Sequence, residues 1–319
     1  MNVSEIIEAS KRNAYISGTY VITKIELKTF LRKPGNFLSC ELLDKTGSVK
    51  GVIWDNAEKF AASLTGKGVV EITGEATRYN DSPQVVIKTI KGVTEYDQSD
   101  FLPSLDYTEL ASLKIDLKTF HMSIRDATCA GYWSSICGKP IYDAFCECPG
   151  GVGTVHHNYL GGLLEHTVSM LRIADQVCNT ILLKTPINRD ILLTGCLYHD
   201  IGKIQSYNWS KAIEMNDSGR LLHHTSLGYG MFRDINRELG VDENDITYLK
   251  IAHIIVSHHE DQGHVDAMFP EAQLVSQIDA LDAMVRHSSD FILNNKTAGN
   301  NWTPFCKLTD TFYYCPEKD

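Results

Sequence analysis

The chain has 319 residues, enough for two ordinary domains or one large one, each with its own buried core. Hydrophobic residues make up 43% of the sequence and charged residues 22%, which is typical of globular proteins and excludes collagen-like and low-complexity classes. A formal net charge of −10 argues against a uniformly basic, polyanion-coating protein.

The N-terminal segment gives no sign of a targeting peptide. It reads MNVSEIIEASKRNAY, with neither the basic and apolar regions of a signal peptide nor an Arg-rich transit pattern. No later stretch reaches the ~18 consecutive apolar residues of a membrane span. Nine cysteines are present, and none falls in the CxxC pairs that are typical of structural zinc sites. An odd number of cysteines without a signal peptide indicates reduced thiols. We therefore expect a cytoplasmic protein without a membrane partner.

Residues 1–95 have the pattern of a β-barrel domain. Short β-branched and aromatic runs alternate with turn residues, and the Asp44–Gly47 segment is typical of a tight hairpin. Residues 55–64 indicate one short helix after the third run. Three strands, a helix and two strands is the element order of an OB-fold. The predicted strands are 19–30, 37–43, 48–54, 68–78 and 84–93.

The charge distribution supports a nucleic-acid-binding role for this domain. Residues 1–95 carry 13 Lys and Arg against 11 Asp and Glu, whereas the remainder carries 17 against 29. The N-terminal region is therefore the better candidate for holding a polyanion. The acidic remainder is where carboxylate metal ligands are expected.

The strand pattern stops in a linker, predicted at residues 96–106, and a helical period follows. Apolar residues recur every three or four positions over 110–127, 163–177, 191–197, 226–239 and 274–285. The fold class expected is therefore a five-stranded OB-fold barrel (1–95) followed by an all-α domain (96–319).

The histidines of the chain are concentrated in the helical domain. All twelve lie between His121 and His287, and several are adjacent pairs. The segment Leu197–Lys203 reads Leu-Tyr-His-Asp-Ile-Gly-Lys and ends an apolar helix, with Gly161–Thr167 upstream, reading Gly-Gly-Leu-Leu-Glu-His-Thr. Imidazole and carboxylate donors in this arrangement are typical ligands of Mn, Fe or Zn.

These motifs resemble those of the HD superfamily of metal-dependent phosphohydrolases, whose signature is a His, a His-Asp pair and a distant Asp. The resemblance places metal ligands at His166, His199, Asp200 and Asp279. Asp282, one helical turn on, is the alternative for the last position.

A second ion is also implied, because a carboxylate such as Asp200 can bridge two cations. His224 and His258 are the expected further ligands, and His223 and His259 are neighbours that could replace them. Lys203, one turn past the metals, is expected to neutralise a phosphate oxygen as part of the catalytic site with Asp200.

The whole chain, over residues 15–290, resembles the YhaM family of 3′→5′ exoribonucleases. Three features carry the resemblance: the OB-fold pattern, the Asp-x-x-Asp-Phe-Leu-Pro linker at Asp97–Pro103, and the two His-containing motifs with His156 and His157 upstream. It implies removal of nucleotides from the 3′ end of single-stranded RNA, with single-stranded DNA as a further substrate. It favours Mn²⁺, with Fe, Ni or Zn as alternatives, and leaves homo-oligomer formation open.

Two departures from the family pattern concern the site. Residues 149–153 read Pro-Gly-Gly-Val-Gly where relatives have a Pro-Ala-Ala-Lys-like approach, so a cation near the phosphate is missing. His223-His224 stands where relatives tend to have Gly-His, which leaves open which imidazole binds metal.

Further contacts to the strand are predicted on both domains. His156 and His157 are expected to contact the scissile phosphate or to donate to the leaving oxygen. On the barrel, aromatic faces for base stacking and nearby cations form the expected strand contacts; core positions are the competing role for Phe37 and Trp54. The barrel candidates are Lys28, Arg32, Lys33, Phe37, Trp54 and Tyr79.

Two other functions fit parts of the same sequence. The first keeps the metal site but acts as a phosphohydrolase or phosphodiesterase on free or cyclic nucleotides, with the barrel as a regulatory module. The second is a non-catalytic OB-fold nucleic-acid-binding protein whose helical domain is a scaffold.

Overall fold

A computed structural model describes residues 1–30, 33–64, 68–96, 100–138, 141–153, 156–180, 187–210, 212–259, 265–297 and 299–316. The chain divides into two compact units. The first comprises Met1–Ser104 and Trp209–Ala212, and the second comprises Leu105–Asn208 and Ile213–Asp319.

The first unit is a closed barrel whose strands are ordered β1-β2-β3-β5-β4, with β4 pairing back onto β1. A short helix separates β3 from β4, so the predicted OB-fold is confirmed. The strands are β1 (Tyr15–Thr29), β2 (Asn36–Asp44), β3 (Gly47–Ile53), β4 (Val69–Tyr79) and β5 (Ser82–Val93). The helix before β1, α1 (Val3–Ala9), was not predicted, and the helix after β3 is α2 (Ala57–Leu64).

Alternation of apolar and polar residues builds the barrel interior. On β4, Val70, Ile72 and Ala76 are buried in the core, whereas Glu71 and Glu75 point outward. β1 pairs with β4 through its first half and with β2 through its second, and its register shifts between Thr23 and Glu26. Such a bulge bends a strand, which lets one long strand close the barrel on both sides.

The predicted linker is partly ordered against the barrel. Phe101 is buried and packs on Val21 and Val69. Asp97 and the two residues after it lie outside the described residues.

The second unit is a helical domain, as predicted, with one small β-ribbon that the sequence did not indicate. The ribbon pairs β6 (Tyr207–Asn208) with β7 (Glu214–Met215). The helices are α3 (Tyr107–Ser123), α4 (Ala127–Cys137), α5 (Ile141–Glu147), α6 (Gly162–Thr180), α7 (Arg189–Tyr198), α8 (Lys203–Ser206), α9 (Asp217–Leu239), α10 (Ile246–Ser257) and α11 (Pro270–Asn295).

Asx caps set several helix starts. Asp106, Asp126, Asn188 and Asp245 each accept hydrogen bonds from backbone N–H groups in the first turn of the helix that follows. The apolar pattern runs without a break over 110–127, but α3 ends at Ser123 and Asp126 caps a new helix. Capping by a short polar side chain therefore overrides the apolar period at that point.

Helix α7 is buried around its whole circumference. All residues from Ile191 to Tyr198 are buried, and α4, α6, α10 and α11 pack around it. Because α7 is central, the residues that follow its last turn lie in the interior of the unit. Among the described residues, no helix combines the length and apolar composition needed to cross a membrane.

Candidate metal centre and nucleic-acid-binding face

The His-Asp pair stands at the buried end of α7. His199 is the C-cap of this helix and is fully buried, and Asp200 follows it at 2% exposure. Such burial of a carboxylate is costly unless charged or hydrogen-bonding partners surround it. Its surroundings therefore define the site.

One oxygen of Asp200 faces a first group of ligand atoms. His166 on α6 and His199 approach each other with their Nε2 atoms 3.2 Å apart. Asp200 Oδ2 lies 3.3 Å from His199 Nε2, and Asp279 Oδ1 on α11 lies 3.1 Å from His166 Nε2. Helices α6 and α11 and the end of α7 thus bring together the four residues of the predicted signature.

The second oxygen of Asp200 faces a second group. Its Oδ1 lies 3.2 Å from His224 Nε2 on α9 and 3.8 Å from His258 Nε2, which follows α10. His259 Nε2 lies 3.2 Å from His224 Nε2. These three imidazoles and Asp200 offer ligand atoms that all lie within 4.8 Å of one another. Asp200 is therefore shared between two sets of donors.

The chemistry of these donors fits a divalent cation. Asp200 Oδ1 and His258 Nε2 are buried, and neither makes a well-aligned hydrogen bond with a described residue, although Oδ1 lies 3.2 Å from Nε2 of His224. Unpaired buried polar atoms cost about 1–3 kcal/mol each, and a bound cation would satisfy both. Imidazole nitrogens with carboxylate oxygens are suitable ligands for Mn, Fe, Ni or Zn.

Hydrogen bonds on the far side of the rings orient three of the imidazoles. His166 Nδ1 lies 2.7 Å from Asp282 Oδ2. His199 Nδ1 lies 2.9 Å from the carbonyl oxygen of Cys196, and His258 Nδ1 lies 2.8 Å from that of Ile255. Carbonyl and carboxylate oxygens accept, so each Nδ1 donates and Nε2 is left to face the cluster.

The same geometry distinguishes Asp279 from Asp282 on α11. Asp279 approaches Nε2 of His166, the nitrogen that faces the cluster, whereas Asp282 lies behind the ring on Nδ1 and also accepts from the Ser169 hydroxyl. Asp282 thus orients His166 from behind the ring, and Asp279 is the one of these two carboxylates that faces the cluster.

Burial and charge set the protonation of the ligands. Burial lowers the pKa of His224 to about 4 and that of His258 well below its ordinary value. Burial also acts to lower the pKa of His166, but hydrogen bonds to Asp279 and Asp282 raise it to about 9. Despite burial, Lys203 and His199 hold the pKa of Asp200 well below its usual range. Without metal, His166 therefore carries a proton where a cation would bind.

Lys203 has a different position from the one predicted. Its side chain is buried, with Nζ 2.5 Å from Asp200 Oδ2 and 2.6 Å from the carbonyl oxygen of Gly150. Helix α8 begins directly after the His-Asp-Ile-Gly turn, so its first side chain folds back into the interior. Its ammonium thus fixes Asp200 and the 150 loop rather than standing exposed for phosphate.

His156 and His157 lie beside the first group. Their rings are 5.5 and 5.4 Å from the ring of His166, and their Nδ1 atoms are 2.8 Å apart. Burial lowers the pKa of His156 to about 4 and that of His157 further. Both are therefore neutral near pH 7 and can donate an N–H hydrogen bond.

Close glycine contacts hold the His156-His157 loop. The backbone of His157 has a φ of +56°, a region that non-glycine residues rarely adopt. A Cβ on Gly162 would lie 2.1 Å from the carbonyl oxygen of His157, and one on Gly150 would lie 2.6 Å from its Cβ. The glycines of residues 149–153, which depart from the family pattern, thus include one that lets this loop pack closely.

The His223-His224 pair occupies a kink inside α9. His223 has a φ of +62° and a ψ of +150°, and its Nδ1 lies 3.2 Å from the hydroxyl of Thr225. The turn directs His224, rather than His223, into the group around Asp200. His258 and His259 both reach that group.

An adjoining network on α11 was not predicted. Arg286 Nη1 lies 3.0 Å from Glu165 Oε1, the residue before His166, and Arg286 also pairs with Asp290 at 3.1 Å. Asp279, Asp282 and Arg286 recur at spacings of three and four, and this spacing is the sequence signal for a shared helix face.

On the barrel, the predicted aromatic residues form a surface cluster. The rings of Phe37 and Trp54 are 5.1 Å apart, and both contact Phe30, at 5.2 and 6.0 Å. Lys33 Nζ lies 4.1 Å from the centre of the Phe30 ring. Trp54 is 39% exposed, so it is not a core residue.

We call this surface the aromatic face. It lines a hollow of about 910 Å³ that also includes Lys28, Lys50 and Tyr79. Phe30 and Lys50 are members that the sequence did not indicate. Arg32, a predicted member, lies outside the described residues.

Comparison with known proteins identifies both parts of the chain. Residues 163–284 match the family model of the HD domain, and residues 21–92 match that of an OB-fold nucleic acid binding domain. The protein thus combines an OB-fold domain with an HD domain, and the HD domain with its His/Asp cluster indicates divalent-metal binding.

Several relatives resemble the chain along nearly its whole length. A protein named 3′-5′ exoribonuclease YhaM from Listeria welshimeri is 26% identical over 306 residues, covering 93% of this chain and 94% of its own. The protein of that name from Bacillus pumilus is 23% identical with the same coverage, and that from Halalkalibacterium halodurans is 26% identical over 83% of this chain and 82% of its own. The chain is a homologue of these proteins, which confirms the resemblance predicted from its motifs.

Among known structures, the mitochondrial single-stranded DNA binding protein Rim1 of S. cerevisiae covers 27% of this chain and 98% of its own at 16% identity. The TM-score of 0.22 is too low to support a conclusion about fold or function.

Replacing Gly202 by Ala should disrupt the second ligand group. A Cβ at this position would lie 1.9 Å from the carbonyl oxygen of His224 and 2.4 Å from the amide of Gly228, both backbone atoms. We expect a loss of about 1–3 kcal/mol in the free energy of unfolding, measured by urea denaturation, and weaker metal binding. Gly230→Ala is the control, because Gly230 lies on α9, the helix that Gly202 approaches, and a Cβ there meets nothing within 4 Å. Equal stability of the two variants would contradict the prediction.

Metal binding should release a proton from His166. Because the pKa of this imidazole is raised to about 9 by its carboxylate neighbours, the proton is bound at neutral pH and a cation must displace it. Apparent affinity for metal should therefore rise roughly tenfold per pH unit up to about pH 9 and then level off. Calorimetric titrations in buffers of different ionisation enthalpy measure the released proton, and Asp282→Asn should reduce that release at pH 8. Binding that is independent of pH would contradict the assignment.

Proposed function

We propose that the protein is a metal-dependent 3′→5′ exoribonuclease. It would hydrolyse the terminal phosphodiester of single-stranded RNA and release 5′-mononucleotides, with single-stranded DNA as a further substrate. The observation that carries this proposal is the buried Asp200 carboxylate, which presents one oxygen to each of two histidine groups. The direction of digestion rests on the YhaM relatives, which are named 3′-5′ exoribonucleases.

Two divalent ions are proposed, with Mn²⁺ favoured and Fe, Ni or Zn as alternatives that the donors also accept. The first would be held by His166, His199, Asp279 and Oδ2 of Asp200, and the second by Oδ1 of Asp200 with His224, His258 and His259. When bound, such ions lower the pKa of a water molecule and neutralise charge on a phosphate.

The protein side chains around this centre would position it and handle the substrate. Lys203 holds Asp200 through a 2.5 Å ion pair, and Asp282 holds the ring of His166. His156 is the less buried member of the neutral His pair that lies against His166. It is therefore placed to donate an N–H hydrogen bond to a phosphate oxygen or to the departing 3′-oxygen.

The reaction is a hydrolysis at the last phosphodiester. A water oxygen forms the new bond to phosphorus, the bond to the 3′-oxygen of the preceding ribose breaks, and that oxygen takes up a proton. The products are a 5′-mononucleotide and a strand one residue shorter with a free 3′-hydroxyl, which is the next substrate.

The aromatic face would hold the strand upstream of the cleaved bond. Three contacting rings and the lysines beside them provide stacking surfaces and positive charge in a chain whose formal charge is −10. Stacking tolerates any base because every base has a π-face, which suits digestion without sequence preference.

Asp200→Asn should abolish hydrolysis while leaving strand binding intact. Asn keeps an oxygen near Lys203 but removes the charge shared by the two ligand groups, whereas Ala would leave a buried ammonium without its partner. Because changes behind metal ligands already cost 10–100-fold, we expect a loss of at least about 100-fold. The assay follows 5′-labelled single-stranded RNA with Mn²⁺, on which the wild type should give a ladder shortening from the 3′ end.

Asp234→Ala is the matched control, because this aspartate lies exposed on α9 and should leave the ladder unchanged. An intact strand beside hydrolysed free or cyclic nucleotides would instead support the nucleotide phosphohydrolase. Full activity of Asp200→Asn would refute the site.

Trp54→Ala should weaken binding of single-stranded RNA by about 1–3 kcal/mol, because one stacking surface is lost. Binding is measured by fluorescence anisotropy at fixed salt in the Asp200→Asn background, where the strand is not consumed. Tyr15→Ala is the control, since Tyr15 is a 66% exposed aromatic of the same barrel that does not line the hollow. Equal affinities of the two variants would exclude the aromatic face as the strand-binding surface.

A further inference from the structure

A second hollow lies in the helical unit, beside the metal centre. It has a volume of about 620 Å³, within the range of about 300–1,000 Å³ that is usual for ligand pockets. Its walls are the loop that carries His156 and His157, the last three turns of α11, and a C-terminal segment around residues 305–308. We call it the tail pocket.

The tail wall is an ordered part of the fold. Backbone hydrogen bonds join Cys306 to Thr311 at 2.8 Å and Thr303 to Tyr313 at 3.0 Å, so the tail folds back on itself. His287 Nε2 on α11 lies 3.3 Å from Cys306 Sγ, and the ring of Phe291 contacts that of Tyr313 at 5.8 Å. The tail is therefore fixed against α11.

The pocket adjoins the bond that would be cleaved. His156 and His157 line it, and their rings also contact His166 of the first ligand group. A phosphodiester held at the ligand groups would therefore have this hollow on one of its sides. A group attached to that phosphate and extending past His156 would enter the pocket.

The residues that line the pocket suit a ligand that is uncharged and flat and that carries polar groups along its edge. Phe305 is 45% exposed and Phe291 is half-buried, so both present ring surface. Asn294 and Asn295 add amide groups, which can bond to either donors or acceptors. Asp290 and Lys307 also line it, and their formal charges cancel. A nucleoside matches this lining, whereas a second phosphate gains no net opposite charge.

We propose that the tail pocket binds the 3′-terminal nucleoside of the strand, and after cleavage the nucleoside of the released 5′-mononucleotide. The base stacks on Phe305, and Asn294 contacts its polar edge. The inference rests on the proposed exonuclease function and deepens it. It explains why an exposed aromatic ring stands on a tail that contributes no metal ligand among the described residues.

The test combines a protein change with a substrate change. Full-length, Mn²⁺-loaded wild type and Phe305→Ala are compared on two RNA strands, one ending in an ordinary nucleotide and one in an abasic residue. On the ordinary strand we expect the variant to show a KM about tenfold higher, with an equal rise in the inhibition constant of 5′-AMP. On the abasic strand wild type and variant should be equally poor, because there is no base to stack. Unchanged metal content shows that the centre is intact.

Tyr314→Ala is the matched control, an exposed aromatic on the same tail that lies outside the pocket lining and should behave as wild type on both strands. Asn294→Ala, at an exposed position, is a second variant that should raise the 5′-AMP inhibition constant without unfolding the protein. If the Phe305→Ala defect is the same on both strands, Phe305 acts through structure and the proposal is overturned.

A direct measurement of 5′-AMP binding to the metal-loaded protein distinguishes failure of the pocket assignment from failure of the proposed exonuclease function. If RNA is not shortened but 5′-AMP binds and Phe305→Ala abolishes that binding, the exonuclease fails and the nucleoside pocket stands. If RNA is shortened while Phe305→Ala leaves KM and 5′-AMP inhibition unchanged, the exonuclease stands and the pocket assignment fails.

Discussion

The burial of one carboxylate organises the helical domain. Asp200 is almost inaccessible to water, and its charge is stable there only because Lys203, His199 and His224 surround it. The fully buried α7 carries the pair to this depth. The turn through Gly202 brings Lys203 back to Asp200, and the absence of a side chain at that glycine lets the backbone of α9 approach. The helices of this domain thus place around the Asp200 carboxylate the charged and polar partners that a buried charge requires.

The same environment prepares the histidines as ligands. Burial keeps His224 and His258 neutral, so their nitrogens have free electron pairs, and backbone carbonyls turn Nε2 of His199 and His258 toward the cluster. His166 is different, because two aspartates favour its protonated form until a cation replaces the proton. The two groups around Asp200 therefore differ in their coupling to pH, although they share that carboxylate.

Individual residues show which features of the fold and of the site could be predicted from the sequence. From the sequence alone, the family signature predicted that His166, His199, Asp200 and Asp279 lie together, because proteins that share a motif also share the local fold around it. The alternation of strands and the position of one helix predicted the OB-fold for the same reason. The direction of the Lys203 side chain could not be predicted, since it depends on how α8 turns after Gly202. The choice between His223 and His224 was also open, since it depends on a left-handed residue inside a helix.

The sequence by itself determined the element order of the barrel, the helical nature of the second domain and the residues of the metal signature, all of which depend on short-range pattern and motif. Only the tertiary structure decided which oxygen of Asp200 faces which histidines, that Asp282 lies behind His166, and that Phe30 joins Phe37 and Trp54 on one face. It also brought the C-terminal tail to the side of the metal centre. These contacts join residues far apart in the chain, and side-chain direction at such contacts is set by packing, which local sequence does not encode.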